Sequence, residues 1–436
     1  MSRLALAELP SRWRQDRSIG VASVCSAHPL VIAAALTCAH NGTVAIEATC
    51  NQVNQEGGYT GMTPADFALF VESIARQVGL DPGSIVLGGD HLGPNPWKHL
   101  PAPEALIRAE KMVTEYVAAG FTKIHLDASM PCSGDPARLD EQTVAERAAR
   151  LAAAAEAAAR RAGRQPPVYI IGSDVPVPGG AVQGLSDLEI TLPESVLATL
   201  ETHRRAFASR GITSSFSRVV ALVVQPGVEF DHNRVVDYQP VMAQSLSKTL
   251  SEELAIVFEA HSTDYQSQAA LSALVSDGFA ILKVGPALTF AMREALYGLD
   301  HIALETDPSW ENSALRPQME QIMLAEPKYW LDYYRGGPGQ QRVLRHYSYS
   351  DRIRYYWPTE DAKAAVSRLL AKFGAQPIAA PLISQFMPRC YQAVRRGIIA
   401  PLPQQLILES IRHALRPYLV ATGRRRSHSN NQGGAP

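Results

Sequence analysis

Two short stretches hold the residues best suited to chemistry, Val86–Pro94 (VLGGDHLGP) and Phe258–Gln266 (FEAHSTDYQ). In each stretch, an apolar, strand-like run stops at a histidine flanked by carboxylates. The ionisable residues concerned are Asp90, His91, Glu259, His261 and Asp264. They fall where a parallel β-strand would pass into a loop, and in α/β folds that edge is the usual place for catalysis. The two stretches therefore predict a metal-assisted active site.

The composition argues against several classes of protein. The chain of 436 residues has a formal net charge of −1, which does not suit a nucleic-acid surface. A basic run, Arg424–Arg426, lies in a Ser/Asn/Gly-rich tail to which we assign no function. The five cysteines lack CxxC spacing, so we expect neither a disulfide framework nor a zinc knuckle. Neither a signal-peptide core nor an apolar span of about 18 residues is present, so we predict a cytoplasmic protein without membrane insertion.

Strand-like and helix-compatible segments alternate through the first 300 residues. The predicted strands are Val21–Cys25, Val44–Ala48, Ile85–Leu87, Lys123–Leu126, Val168–Ile171, Val219–Val224, Ile256–Ala260 and Ala280–Val284. The predicted helices between them are Pro64–Val78, Pro103–Ala119, Glu141–Ala162, Pro193–Ala208, Pro240–Leu254 and Tyr265–Val275. Eight such alternations predict an α/β fold, a (β/α)8 TIM barrel. A doubly wound sheet is the weaker alternative, because no Gly-rich phosphate loop follows the first strand.

After Gly298 the alternation stops, and helical segments with Tyr- and Trp-rich connections follow. We predict a barrel over residues 1–300, a helical C-terminal extension packed on it over 301–422, and a disordered tail over 423–436. The aromatic residues concentrate in Tyr329–Arg335 and Tyr347–Trp357. Packing against the barrel is one interpretation of these aromatics, and an interaction surface is the other.

Polar residues stand at or just after nearly every predicted strand. They are Ser26, Glu47, Asp90, His91, His125, Asp127, Asp174, Gln225, His261 and Lys283. A single strand-end Asp or His is more often a turn-former or a satisfied core group. Burying so many polar groups costs free energy unless they share a ligand or a metal, so their number favours one common site.

His91 and His261 follow the third and seventh predicted strands, which face each other across a barrel mouth. We predict that they bind one divalent cation, with a carboxylate or carbonyl oxygen completing its coordination. Zinc suits these ligands, and Mn²⁺ or Co²⁺ suit them as well. Such an ion polarises a carbonyl and stabilises an enediolate. The alternative is that both histidines only donate and accept structural hydrogen bonds.

The remaining roles are predicted from position at the mouth. We predict catalytic roles, including proton transfer, for Asp90, Asp127 and Glu47. We predict substrate or phosphate binding for Ser26, Gln225, Ser262, Lys283, Gly285, Arg352 and Arg354. Lys283 and Gly285 precede a predicted helix after the eighth strand, where barrels often hold a phosphate. For the two arginines, surface ion pairs are an equally good interpretation.

Several of these motifs resemble the GatZ/KbaZ family. They are Ser23–Pro29, Ile46–Gln55, Gly88–Pro94, His125–Ser129, Val223–His232, Glu259–Gln266 and Asp351–Pro358. The similarity extends over nearly everything from Gly20 to Leu419. It implies the fold of class II, metal-dependent aldolases. It also implies one of two roles, a subunit of D-tagatose-1,6-bisphosphate aldolase or a ketohexose-phosphate 4-epimerase.

The resemblance also bears on a third metal ligand. The fifth strand of the family pattern ends in Gly-Thr-Glu, whereas this sequence reads Gly172-Ser-Asp174. The resemblance therefore implies that Asp174 is a ligand, although its side chain is one methylene shorter than glutamate.

We predict that the protein interconverts D-tagatose 6-phosphate and D-fructose 6-phosphate. C4 carries no acidic proton because the carbonyl is at C2, so we expect retro-aldol cleavage of the C3–C4 bond, rotation of the aldehyde and re-addition. Asp90 or Asp127 would handle the proton of the C4 hydroxyl. The alternative is a non-catalytic subunit that stabilises a separate class II aldolase subunit. The expected ligand is a sugar phosphate, and self-association is left open.

Overall fold

The structure is a computed structural model that describes residues 6–38, 44–172, 188–250 and 254–423. Its strands are β1 (Val21–Cys25), β2 (Val44–Thr49), β3 (Val86–Leu92), β4 (Lys123–Leu126), β5 (Val168–Ile171), β6 (Val219–Val224), β7 (Glu229–Phe230), β8 (Val235–Val236), β9 (Val257–Ala260) and β10 (Ile281–Val284). Eight of them form a closed parallel barrel in the order β1, β10, β9, β6, β5, β4, β3, β2. Strands β7 and β8 form a separate antiparallel hairpin. The predicted (β/α)8 barrel is confirmed.

Helices surround the barrel and continue beyond it. They are α1 (Leu9–Gln15), α2 (Pro29–Cys38), α3 (Pro64–Gln77), α4 (Ala102–Ala119), α5 (Glu141–Ala162), α6 (Pro193–Ser209), α7 (Pro240–Ser247), α8 (Gln268–Ser276), α9 (Pro286–Thr306), α10 (Leu315–Ala325), α11 (Pro338–Tyr347), α12 (Glu360–Phe373), α13 (Ala380–Phe386), α14 (Pro388–Arg395) and α15 (Pro403–Ala421). The side chains of Thr63, Asp140 and Ser267 cap α3, α5 and α8, which explains where these helices begin. Within the described ranges, no helix is long and apolar enough to cross a membrane.

Three elements differ from the sequence prediction by three or more residues at one end. Strand β3 continues through Asp90 to Leu92, because it stays paired with β2 as far as Asp90. Helix α8 begins three residues later than predicted, since Tyr265 has a left-handed φ of 66° and cannot start a helix. Helix α7 ends at Ser247, well before the predicted end. Asp90 and His91 therefore lie within the third strand of the barrel and not in the loop after it.

The C-terminal extension packs on the barrel helices, and α15 contacts α2, α8 and α9. An internal anchor lies at Asp351, whose carboxylate accepts a hydrogen bond from Thr289 Oγ1 at 2.7 Å and pairs with Arg293 Nε at 3.1 Å. Tyr334 and Trp357 are buried, so much of the aromatic-rich region packs in the protein interior. Helix α9 runs across residue 300, and the division of the chain near that position stays a prediction.

Glycines make two close approaches near the mouth. A Cβ on Gly88 would lie 2.7 Å from Glu47 Cγ, so glycine leaves room there for the buried glutamate. A Cβ on Gly93 would lie 1.6 Å from the backbone oxygen of Asp127. Asp127 also donates its backbone N–H to Leu92 O at 3.1 Å. The segment after β3 therefore sits directly against the segment after β4.

We predict that Gly93→Ala lowers the free energy of unfolding by about 3 kcal/mol, because the added methyl group forces the two segments apart. Urea unfolding followed by circular dichroism measures this. The control is Gly339→Ala in α11, where no atom lies within 4 Å of the added Cβ. It should change the unfolding free energy by less than about 0.5 kcal/mol. Equal stability of the two variants would contradict the close approach.

Candidate active site

Two lysines and two glutamates occupy the interior of the barrel. Lys123 on β4 lies between Glu47 on β2 and Glu259 on β9, and its Nζ is 2.8 Å from a carboxylate oxygen of each. Lys283 on β10 contacts Glu47 as well, and it lies 2.8 Å from Asp90 Oδ1 and 3.7 Å from Glu259 Oε1. All five side chains are buried. Positive and negative groups thus alternate, and each offsets the desolvation of its neighbours.

These ion pairs fix the protonation of the groups. Burial by itself raises the pKa of Glu47 and of Glu259, but the two nearby ammonium groups outweigh it and lower both pKa values. Burial lowers the pKa of a lysine, yet the surrounding carboxylates outweigh it and raise the pKa of Lys123 and of Lys283. All four groups are therefore ionised around neutral pH.

Three histidine rings meet at the carboxyl ends of the strands. The ring centroids of His91 and His125 are 5.0 Å apart, those of His91 and His261 are 4.8 Å apart, and those of His125 and His261 are 5.2 Å apart. One potential ligand atom from each ring and one from Asp90 all lie within 4.8 Å of one another. His91 has a φ of 49°, a backbone conformation that non-glycine residues rarely adopt. Such strain is concentrated at functional sites.

Each of the three rings has one nitrogen held by a carboxylate. The contacts are His91 Nδ1 to Asp127 Oδ2 at 2.8 Å, His125 Nδ1 to Asp90 Oδ1 at 2.9 Å, and His261 Nε2 to Glu259 Oε1 at 2.9 Å. At His91 and His261, a carboxylate in this position accepts the ring N–H, orients the imidazole and leaves the other nitrogen as a lone pair. At His125, Nδ1 also faces the backbone N–H of His91 at 3.1 Å. Three carboxylate–histidine pairs around one point are the arrangement that metal-binding histidines use.

The surroundings of His261 and His125 agree with a metal site, whereas the raised pKa of His91 favours a proton that a metal ion would displace. Burial lowers the pKa of His261 to about 4, so this ring is neutral at pH 7. Burial also acts to lower the pKa of His91, but Asp90 and Asp127 outweigh it and raise that pKa. The Nε2 atom of His125 is buried and has no hydrogen-bond partner within the described part of the chain. A buried imidazole nitrogen in this state suits a cation, because burying it unbonded is costly.

The net charge of the buried groups also favours a bound cation. The buried carboxylates here are Glu47, Asp90, Asp127 and Glu259, and the buried ammonium groups are Lys123 and Lys283. Four negative and two positive charges leave a net of −2 when the histidines are neutral. A divalent cation held by the three rings would balance this charge. The residues present therefore fit such an ion in ligand type, in number and in charge.

A cavity opens beside the histidines and includes most of the predicted site residues. Those that line it are Asp90, His91, His261, Ser262, Lys283, Gly285 and Arg354. Glu47 and Asp127 lie behind it, where Glu47 pairs with the lysines and Asp127 orients His91. The structure thus brings seven predicted residues to one cavity and sets two more in support of them.

Three predicted residues have other partners. The hydroxyl of Ser26 accepts the backbone N–H of His28 at 3.2 Å. The Gln225 side chain accepts the backbone N–H groups of Gly227 and Val228, so it holds its own turn. The Arg352 side chain is buried, donates to the carbonyl of Tyr329 and stacks on Tyr333. A fourth, Asp174, lies outside the described residues, and its role as a ligand stays a prediction.

Sequence reasoning missed some residues of this site. It gave Lys123 no role, and it did not name His125 as a metal ligand. A signal was present in the KIHL segment, because residues two apart in a strand face the same side and both therefore point to the barrel interior. Tyr59 and Tyr355 also line the cavity. No pattern in the sequence indicated this, because both come from outside the strands.

We predict that Lys123→Met destabilises the protein by about 3–5 kcal/mol, since it leaves Glu47 and Glu259 buried without the ammonium group between them. Urea unfolding would measure the change. The matched control is Lys328→Met, because the Lys328 side chain is 58% exposed. It should change the unfolding free energy by under about 0.5 kcal/mol. A Lys123→Met protein as stable as the control would show that the buried network is unimportant to the fold.

Comparison with solved structures shows a strong similarity to a bacterial protein. A protein from Sinorhizobium meliloti 1021, described as a probable tagatose 6 phosphate kinase, is 52% identical, with a TM-score of 0.86 over 92% of this chain and 100% of that chain. The fructuronate-tagaturonate epimerase UxaE from Cohnella laeviribosi is 11% identical, with a TM-score of 0.49 over 94% and 82%. The YdjI aldolase from Escherichia coli K12 is 12% identical, with a TM-score of 0.41 over 86% and 98%. The last two are too distant to bear on function.

The family comparison covers nearly the whole chain. The matching family model describes D-tagatose-1,6-bisphosphate aldolase subunits of the GatZ/KbaZ-like type, and it spans residues 6–423. That range includes the barrel, the histidine cluster and the C-terminal extension. The chain therefore belongs to the GatZ/KbaZ-like family of D-tagatose-1,6-bisphosphate aldolase subunits.

Proposed function

We propose that this chain is a divalent-metal-dependent enzyme that inverts C4 of a ketohexose 6-phosphate, converting D-tagatose 6-phosphate to D-fructose 6-phosphate. The observation that carries the proposal is the cluster of three carboxylate-bound histidines beside Asp90 and Lys283, of which His91 and His261 line one cavity together with Asp90 and Lys283. A solely structural subunit has no need of buried, charged groups arranged in this way. The relative described as a probable tagatose 6 phosphate kinase supports the sugar phosphate as ligand.

The metal would be held by His91, His125 and His261, with Asp90 beside them. A bound divalent ion supplies Lewis-acid polarisation of the substrate carbonyl. Zinc suits imidazole and carboxylate ligands, and Mn²⁺ or Co²⁺ suit them as well. Asp127, Asp90 and Glu259 orient the three rings by contacts to one nitrogen of each.

Asp90 is the proposed base for the C4 hydroxyl. Burial by itself raises the pKa of Asp90, but His91 and Lys283 outweigh it and hold that pKa well below its ordinary value. Asp90 is therefore ionised and able to accept a proton. Its Oδ1 faces His125 and Lys283, while its Oδ2 lies 3.6 Å from the cavity-lining Cys25 Sγ. Oδ2 is the oxygen that we assign to proton transfer.

The proposed reaction then balances as a retro-aldol step followed by its reverse. The C4 hydroxyl proton passes to Asp90, the C4–O bond becomes a carbonyl, and the C3–C4 bond breaks. Its electron pair stays on the three-carbon ketose fragment as an enediolate, whose negative charge the Lys283 ammonium can stabilise. Rotation of the aldehyde presents its other face, and re-addition with return of the proton gives the inverted C4.

The second candidate is a subunit that supports a separate aldolase subunit without catalysing a reaction itself. The family description favours it, because it names an aldolase subunit. An ancestral site retained without use would leave the same residues in place. The two candidates differ in whether the chain alone turns over a ketose phosphate.

We expect the purified full-length chain to convert D-tagatose 6-phosphate to D-fructose 6-phosphate when supplied with Zn²⁺, Mn²⁺ or Co²⁺. Nuclear magnetic resonance in D2O should show product without deuterium at C4, because retro-aldol chemistry never removes that hydrogen. His91→Ala should abolish turnover, whereas His99→Ala, at an exposed position, should not change it.

The following outcome would contradict the epimerase proposal. The chain alone would be inert with every metal, and co-expression with the cognate aldolase subunit would raise aldolase activity equally for wild type and His91→Ala. That result would establish the subunit role and remove the epimerase proposal.

We also expect one divalent ion per chain when the purified protein is analysed by mass spectrometry for metals. His91→Ala, His125→Ala and His261→Ala should each lose it while keeping the wild-type circular dichroism spectrum. Asp127→Asn should weaken metal binding roughly 10- to 100-fold, because the His91 ring loses its charged partner. Asp332→Asn, at an exposed position, is the matched control. Full activity in chelator-treated, metal-free protein would show that the histidines are structural.

A further inference from the structure

The cavity has two places where a phosphate group would ordinarily be sought. One is the N-terminus of α9, directly after β10, which is where (β/α)8 barrels often bind phosphate. The other is Arg354, which reaches the same cavity from the C-terminal extension. In the structure, the first place is occupied by an internal carboxylate, whereas the second has no carboxylate in contact among the described residues.

The N-terminus of α9 is already filled by an internal carboxylate. Asp264 Oδ1 accepts the backbone N–H of Gly285 at 3.0 Å and that of Ala287 at 2.8 Å. Pro286 has no N–H to offer. The next two donors, on Leu288 and Thr289, are bound to the carbonyl of Gly285. Every backbone donor of the first turn is therefore in use before any ligand arrives.

This end of the cavity is also acidic. Asp264 is itself part of the cavity lining. Burial raises the pKa of Asp264 to about 6 against its two N–H donors and the positive charge of Arg354, so it is ionised at pH 7.5. Glu229 lies nearby, and burial, with a contribution from the charge of Asp264, raises its pKa to about 7. A phosphate dianion placed here would meet negative charge rather than free donors.

Arg354 offers the opposite surroundings. Its guanidinium donates to the backbone carbonyls of Ser350 and Asp351 and, at 3.0 Å, to the hydroxyl of Tyr355. No carboxylate of the described residues lies within ion-pair distance of it. Arg354 is half-buried and has no described carboxylate in contact, so an anion bound there would offset the cost of its partial desolvation. A guanidinium is also well shaped for two parallel hydrogen bonds to a phosphate.

The other lysine and arginine groups near the cavity are already used. Lys283 lines the cavity but faces the carboxylates of Glu47, Asp90 and Glu259. Arg352 does not line the cavity, and its guanidinium stacks on Tyr333 and donates to a backbone carbonyl. Among the described lining residues, Arg354 is thus the arginine or lysine with no carboxylate in ion-pair contact.

We propose that the cavity has a single phosphate-binding position, formed by Arg354 with the hydroxyl of Tyr355, and that Asp264 excludes a second phosphate by occupying the N-terminus of α9. The chain then selects a ketose with one phosphate over the corresponding 1,6-bisphosphate. This inference rests on the proposed function, because it assumes a ketose phosphate in this cavity. It assigns the specificity to two residues, one on the barrel and one on the C-terminal extension.

The test is isothermal titration calorimetry on the full-length, metal-loaded chain at pH 7.5, with three probes: D-tagatose 6-phosphate, D-tagatose 1,6-bisphosphate and D-tagatose. We expect wild type to bind the monophosphate at least about tenfold more tightly than the bisphosphate. Arg354→Gln should weaken monophosphate binding roughly 10- to 100-fold and leave the binding of unphosphorylated tagatose unchanged. Arg342→Gln, at an exposed position, removes the same charge as the matched control.

Two variants of Asp264 distinguish the effect of its negative charge from the effect of its occupying the N–H groups of α9. Asp264→Ser removes the carboxylate and frees the N–H groups of Gly285 and Ala287, so we expect the preference for the monophosphate to shrink at least about fivefold. Asp264→Asn keeps an oxygen on those N–H groups, so it should shift the preference less than serine does. Thermal melting of each variant establishes that it is folded before its affinities are compared.

Equal wild-type affinity for the monophosphate and the bisphosphate would overturn the inference, and so would an unchanged preference in Asp264→Ser. A loss of tagatose binding in Arg354→Gln as large as its loss of monophosphate binding would overturn the role of Arg354. Calorimetry reports affinity and the epimerase assay reports product, so these outcomes are separate from that assay. If the chain binds the monophosphate preferentially but does not epimerise it, the proposed function is wrong and the proposed phosphate specificity still holds.

Discussion

The buried pairing of Lys123 with Glu47 and Glu259 is the interaction on which the remainder of the site depends. These residues come from β4, β2 and β9, so their contacts join strands that are distant around the barrel. Buried ions of this kind contribute little net stability, but removing one partner leaves an uncompensated charge. The network therefore fixes the register of the interior side chains, and Gly88 leaves room for it.

The histidine cluster shares members with that network. Glu259 pairs with Lys123 and also holds His261, while Asp90 pairs with Lys283 and also holds His125. Each carboxylate thus links a charge buried in the barrel to an imidazole at its mouth. Because the ring orientations depend on these carboxylates, the metal-binding geometry is set by the barrel interior. This dependence explains why so many ionisable groups are buried at one place.

The C-terminal extension contributes residues to the site. Arg354 and Tyr355 line the cavity together with residues of the barrel. Their segment is held by Asp351, which has a strained φ of 43° and binds two residues of α9. The family match spans both parts of the chain, in agreement with a site that needs both. Metal-binding residues thus come from the strands, and the proposed phosphate-binding residue comes from the extension.

The eight strands, the barrel and the importance of the two histidine-containing stretches are predictable from the sequence, because local periodicity and strand-end position carry that information. Which polar residues meet depends on the tertiary structure. Lys123 proved central and Gln225 peripheral, although both occupy strands or strand ends, because pairing across the barrel is not encoded in local spacing. The same holds for Arg354 and Arg352, two residues apart, of which one reaches the cavity and the other supports a loop. Side-chain direction at such positions depends on non-local packing.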